Sequence, residues 1–209
     1  MINCVILNNV TEYSGGVIQH YKRTGSGSGV LLTDTIARNN RSNNGIYTSR
    51  YGDDRIMRCV LENNTAIGLE FSYGNAEIHN SVIRGNISSS LQKGAGLTFY
   101  MTQKMCLYNC LIYGNQFTNP MGAGALYNDR SEPVFLVNST VVSNIAPIGS
   151  GYPAGLYGSN YVINSIVYDN FTSDGILRNF NTKVTFTNSC TSPIDSYPNA
   201  GNIDASPLF

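Results

Sequence analysis

The chain has 209 residues, a length suited to one domain, with 13 basic and 13 acidic side chains and a formal net charge of zero. Charged residues make up only 12%, about half the usual ~25% share, so neither a basic stripe for nucleic acid nor an acidic disordered block is present. No apolar run approaches the ~20 residues of a membrane-spanning helix, and polarity comes instead from Asn (26 residues), Ser, Thr, Tyr and 21 Gly.

In chain order, one seven-residue phrase keeps returning. It reads NCVILNN from Asn3, DTIARNN from Asp34, RCVLENN from Arg58, NSVIRGN from Asn80, NCLIYGN from Asn109, NSTVVSN from Asn138 and NSIVYDN from Asn164, with a decayed copy from Asn188. The starts lie 22 to 31 residues apart. Repeats of that length mark a solenoid, whose unit buries its apolar face only against copies of itself.

Aligned on the first residue, the phrases form columns. Two places upstream stand Met1, Leu32, Ile56, Ile78, Leu107, Leu136, Val162 and Phe186, all apolar. One place downstream the residue is always small: Cys4, Thr35, Cys59, Ser81, Cys110, Ser139, Ser165 and Ser189. Three places downstream it is apolar again, from Ile6 to Val167. Short alternation of period two means strand rather than helix. The change of parity between the first two columns calls for a bend or bulge at the first residue of each phrase.

Six places downstream stands Asn9, Asn40, Asn64, Asn86, Asn115, Asn144 and Asn170. Stacked at equivalent positions, such side chains form an amide ladder, and Asn also tolerates a left-handed turn. After a variable gap comes Gly followed by apolar or aromatic residues, at Gly16, Gly45, Gly68, Gly96, Gly124, Gly155 and Gly175. Positive φ at a corner is the expected reason for these glycines. The expected architecture is all-β: a single-stranded, right-handed parallel β-helix of about eight coils spanning residues 1–209 as one domain. At the rung spacing of a parallel sheet it is about 38 Å long. The absence of obvious polar end caps suggests a fragment of a longer protein or a chain whose ends a partner covers.

Further candidates follow from the columns. Cys4, Cys59 and Cys110 lie two coils apart, about 9.6 Å against a bridging limit near 7 Å, so they are expected to be small core fillers rather than disulfides. No spacing suits zinc, and neither a metal nor a cofactor is expected. Asp34 and Arg58, and Arg38, Glu62 and Arg84, are placed to pair across rungs. Gly52-Asp53-Asp54-Arg55 is expected to be a solvated turn, and His20 and His79 surface residues. The sequons at Asn9, Asn63, Asn86 and Asn170 overlap the ladder or its neighbour. Tyr108, Tyr113 and Tyr168 fall in outward columns. They are the candidate substrate-binding residues, to stack on sugar rings, with ordinary β-propensity as the heavier alternative account.

Chlamydial polymorphic outer-membrane proteins and many bacterial surface β-helix proteins repeat a Gly-Gly-Ala-Ile-like phrase and a Phe-x-x-Asn phrase. Gly15-Gly16-Val17-Ile18 resembles the first; Ile83-Arg84-Gly85-Asn86 and Ile112-Tyr113-Gly114-Asn115 resemble the second, with Ile for Phe. The ending, from Gly201 to Ser206-Pro207-Leu208-Phe209, is similar to a closing segment of secreted pectate-lyase-like β-helix proteins of gut and environmental bacteria, with Ser206 where Asp is usual. The resemblance implies a secreted or cell-surface home. Polygalacturonases of this fold use an Asp-Asp pair, but their Asn-Thr-Asp, His-Gly and Arg-x-Lys signatures are missing here, so no catalytic residue is assigned. The expected function is a non-enzymatic, adhesin-like or glycan-binding scaffold whose partner is a polysaccharide or host glycan. A polysaccharide lyase or hydrolase is the runner-up, and a structural spacer the third reading.

Overall fold

The computed structural model describes residues 1–12, 16–22, 29–91, 93–193 and 201–207. Gly15 of the first resemblance phrase, and Leu208-Phe209 of the ending, lie outside these residues. Among the described residues there is no helix, and every sheet is built from parallel neighbours. The class is a parallel β-solenoid of about six turns.

Each turn draws one strand from each of three sheets. The phrase sheet holds eight strands, from Val5–Leu7 through Ile36–Arg38 to Cys190–Thr191. The upstream sheet holds seven, from Leu31–Thr33 through Asp53–Met57 and Asn75–His79 to Val184–Thr187. The glycine sheet holds six: Ile18–Tyr21, Arg41–Arg50, Thr65–Ser72, Leu97–Tyr100, Leu126–Asp129 and Leu156–Tyr157. A short four-stranded sheet follows the phrase sheet in the middle coils. Eight phrases therefore give eight rungs of one sheet but only about six full turns, because a turn closes only where all three sheets contribute.

The change of parity is a one-residue bend. All eight phrase-opening residues, from Asn3 to Asn188, are left-handed, with φ between 48° and 54°. The upstream strand buries Leu32, Ile56, Ile78, Leu107, Leu136, Val162 and Phe186; the chain then turns once and buries the small column. The small residues do more than fill space. Ser81, Ser139, Ser165 and Ser189 each accept, through Oγ, the backbone N–H of the small residue one rung before, at 2.9–3.2 Å. Thr35, Cys59 and Cys110 are buried in the same file, and all five cysteines are free.

The recurring asparagines of the phrase stack in one file. Each Oδ1 accepts both the backbone N–H and the Nδ2 of the preceding rung's Asn, from Asn9→Asn40 at 2.9 Å through Asn115→Asn144 at 3.0 Å to Asn144→Asn170 at 2.8 Å. Asn170 passes the pattern to Asn179, only nine positions on. The left-handed conformation belongs not to these residues but to the one before each: Asn8, Asn39, Asn63, Gly85, Gly114, Ser143 and Asp169, at φ 49–63°. The expected reason for the glycines also needs correction, since only Gly175 among them has positive φ. A Cβ on Gly68, Gly96 or Gly124 would meet a carbonyl oxygen of the next rung at 2.5–2.6 Å. Close approach of backbones, not turn conformation, demands glycine there.

Candidate functional site

The three candidate tyrosines do not share one strip. Tyr108 ends an upstream-sheet strand and stacks on His79, with ring centroids 4.9 Å apart; Cys106 beside its hydroxyl raises its pKa. Tyr113 lies around the bend on the phrase sheet, where its hydroxyl accepts from Arg84 Nη1 at 2.5 Å. Tyr168 is two rungs further along that column, with Val142 between them. Arg84 is also bound to Glu62, its Nε at 2.7 Å, and Tyr113, then Glu62, raise its pKa. Arg58 grips Asp34 with two bonds of 2.6 and 2.7 Å, which lower the Asp34 pKa.

A denser aromatic group stands at the corner between the glycine and upstream sheets. Outward positions on successive glycine-sheet strands are Tyr21, Arg50, Ser72, Tyr100 and Asp129. The next residues on four of these rungs are Tyr51, Tyr73, Met101 and Arg130, and all four are left-handed, with φ of 63°, 60°, 51° and 54°. At the two phrase corners this conformation is taken almost entirely by Asn, Asp and Gly; Arg58 and Ser143 are the exceptions. For a large side chain it costs roughly 1–2 kcal/mol.

The strained residues gather the rings. Tyr51 stacks on Tyr73 at 5.0 Å; Tyr21 meets Tyr51 edge-on at 6.4 Å, and Tyr73 meets Tyr100 edge-on at 5.7 Å. The Arg50 guanidinium sits 5.9, 5.4 and 5.1 Å from the rings of Tyr21, Tyr51 and Tyr73. A groove of about 470 Å³ opens beside it, lined by Gln19, Tyr21, Asn44, Thr48, Arg50, Glu70, Ser72, Tyr73 and Tyr100 among others. Rings next to amides and hydroxyls offer both apolar faces and hydrogen bonds. Glu70, largely buried, is occupied: Lys93 Nζ lies 2.6 Å from Oε1 and the Gly45 N–H 3.1 Å from Oε2.

This corner escapes a reading built on the seven-residue phrase, since it lies outside it. The available signal is the pair Tyr51-Gly52 and Tyr73-Gly74, spaced by 22 residues like the phrases beside them. Both glycines are required by close approach: a Cβ on Gly74 would meet the Gly52 carbonyl at 2.2 Å, and one on Gly52 the His20 ring at 2.6 Å.

Two expectations about charged groups are overturned here. Asp53–Met57 is a strand, not a solvated turn. Alternation along it sends Asp53 outward and Asp54 into the tube, where the Asp54 side chain is fully buried. Carboxylates on opposite faces of a strand cannot flank one glycosidic bond. Asp54 Oδ1 accepts the Val30 N–H at 2.8 Å and lies 3.0 Å from His20 Nδ1. His20 is therefore no surface residue; it points inward on the same column as Ser49 and Phe71, and its side chain is 17% exposed. Asp54 Oδ2 and the Tyr47 hydroxyl make no hydrogen bond among the described residues. Burial, then the Asp54 charge, raises the Tyr47 pKa.

Among the described residues no group of three or more His, Cys, Asp or Glu side chains is placed to hold a metal ion, and no helix is long and apolar enough to cross a membrane. Comparison with known proteins returns nothing: no family model, no curated protein and no solved structure matches the chain. Its class therefore rests on the stacked parallel sheets and its candidate site on the tyrosine–arginine corner.

Proposed function

We propose that this β-solenoid is a non-enzymatic glycan-binding scaffold of a secreted or cell-surface protein, and that the corner of Tyr21, Tyr51, Tyr73, Tyr100 and Arg50 is its binding edge. The observation that carries the reading is the left-handed backbone under Tyr51 and Tyr73. Gly or Asn would occupy those positions at less cost. Backbone strain of this kind gathers at functional sites because the side chain is wanted there. Tyr21, Tyr73 and Tyr100 border a groove rich in hydroxyls and amides, the surface a sugar needs for its C–H faces and its hydroxyls, and Tyr51 stacks behind Tyr73. The resemblance to bacterial surface and pectate-lyase-like β-helix proteins supports the same reading, and the separation of Asp53 from Asp54 favours binding over hydrolysis.

A glycan array probed with the folded protein tests this. Retention that disappears in a Tyr51→Asn, Tyr73→Asn double variant is the expected result. A folded wild-type sample that no glycan retains would refute it.

A further inference from the structure

We infer that the ligand of this corner carries an anionic substituent, a carboxylate or a sulfate or phosphate ester, and that Arg50 receives it; the inference rests on the glycan-binding reading above. Four arginines of the solenoid have carboxylate partners: Arg55 with Glu77, Arg58 with Asp34, Arg84 with Glu62 and Arg130 with Asp129. Arg50 differs. Among the described residues no carboxylate lies within ion-pair distance of it, although Glu70 lines the same groove. That carboxylate is held by Lys93 and the Gly45 N–H, and His20 Nδ1 faces Asp54 inside the tube. The groove is thus left with one formal charge that nothing cancels.

The setting of that charge matters as much as its sign. Three tyrosine rings fix the guanidinium from three successive rungs. Ring faces attract a cation without neutralising it, so Arg50 is both oriented and uncompensated. A planar fork of N–H donors in that state fits a carboxylate, sulfate or phosphate with two parallel bonds. Gln19, Asn44, Thr48 and Ser72 border the same space and can take the uncharged hydroxyls of the sugar.

Matched polymers that differ only in charge provide the test: dextran against dextran sulfate, and methyl-esterified against free polygalacturonate, by affinity electrophoresis at low and high salt. Wild type should bind the charged member of at least one pair roughly tenfold or more tightly. That preference should vanish in Arg50→Gln, persist in part in Arg50→Lys and weaken with salt. The pair that responds identifies sulfate or carboxylate as the preferred group. Equal binding of charged and neutral members, or a preference that survives Arg50→Gln, overturns the role of Arg50 while leaving sugar binding at the corner intact. If no polymer is retained by protein that circular dichroism shows to be folded, this inference and the glycan-binding reading fall together.

Discussion

Replacing Tyr51 and Tyr73 separates the cost of their backbone from the value of their rings. Both residues hold left-handed φ, 63° and 60°, while their rings stack at 5.0 Å and enclose Arg50. A Tyr51→Ala, Tyr73→Ala variant loses the stack and the edge-on contacts with Tyr21 and Tyr100, each worth roughly 0.5–1.5 kcal/mol, and two cation–π contacts of about 0.5–1 kcal/mol each. It keeps the strained backbone. The corresponding Asn pair loses the same rings but places at both positions a residue that accepts left-handed φ, recovering about 1 kcal/mol per site. Ring loss cancels between the variants. The Asn pair should therefore exceed the Ala pair by about 2 kcal/mol, as read by urea denaturation followed by far-UV circular dichroism. Both should lose the ligand. Equal midpoints for the two pairs would show that the corner is not strained, and the argument that its side chains are kept for function would fail.

Asn115→Ala should cost about 3–5 kcal/mol, because it strips the acceptor from Asn86 and the donor from Asn144 where all three are fully buried; a loss below 1 kcal/mol in the same urea assay would contradict the ladder. Asp54→Ala should destabilise by about 2–4 kcal/mol by leaving the Val30 N–H unpaired and His20 with only the 3.4 Å contact to the Ser49 hydroxyl, whereas the exposed Asp53→Ala should stay within about 1 kcal/mol. The lowered pKa of Asp34 has a defined pH signature. Its pairing with Arg58 contributes above the ordinary carboxylate value of 3.8 and is lost as pH falls through the depressed folded value, so the stability difference between wild type and Arg58→Gln should shrink toward zero in strong acid. Burial pushes the Cys110 thiol up to about 11; mass spectrometry after iodoacetamide treatment at pH 8 should find Cys110 unmodified in folded protein and alkylated in urea.

Much of the fold was legible because a solenoid writes its contacts into one column at a time. Leu32, Ile56 and Ile78 share a column in the chain and a file in space, and the same holds for Asn86, Asn115 and Asn144. What stayed hidden depends on neighbours rather than on columns. Gly68 and Gly96 look like turn residues, yet their reason is a carbonyl in the next rung. Asp54 looks like turn chemistry because a charged pair after Gly usually is; its burial follows from strand alternation and from the Val30 N–H that meets it. The tyrosine–arginine corner was invisible for a third reason. Its members come from two adjoining positions on three or four rungs, and only Tyr-Gly recurs with the period of the repeat.

Coils here differ in length by as much as nine residues, from 22 to 31, while successive amides of the ladder stay 2.8–3.1 Å apart. Among the described residues, longer connections such as residues 147–153 leave the spacing of the ladder unchanged. The ruler and its ornaments are thus separate: the long connection from Asn144 to Gly155 still pairs Ile145–Ala146 into the short sheet, and the ladder keeps its stride for any polymer laid along the corner.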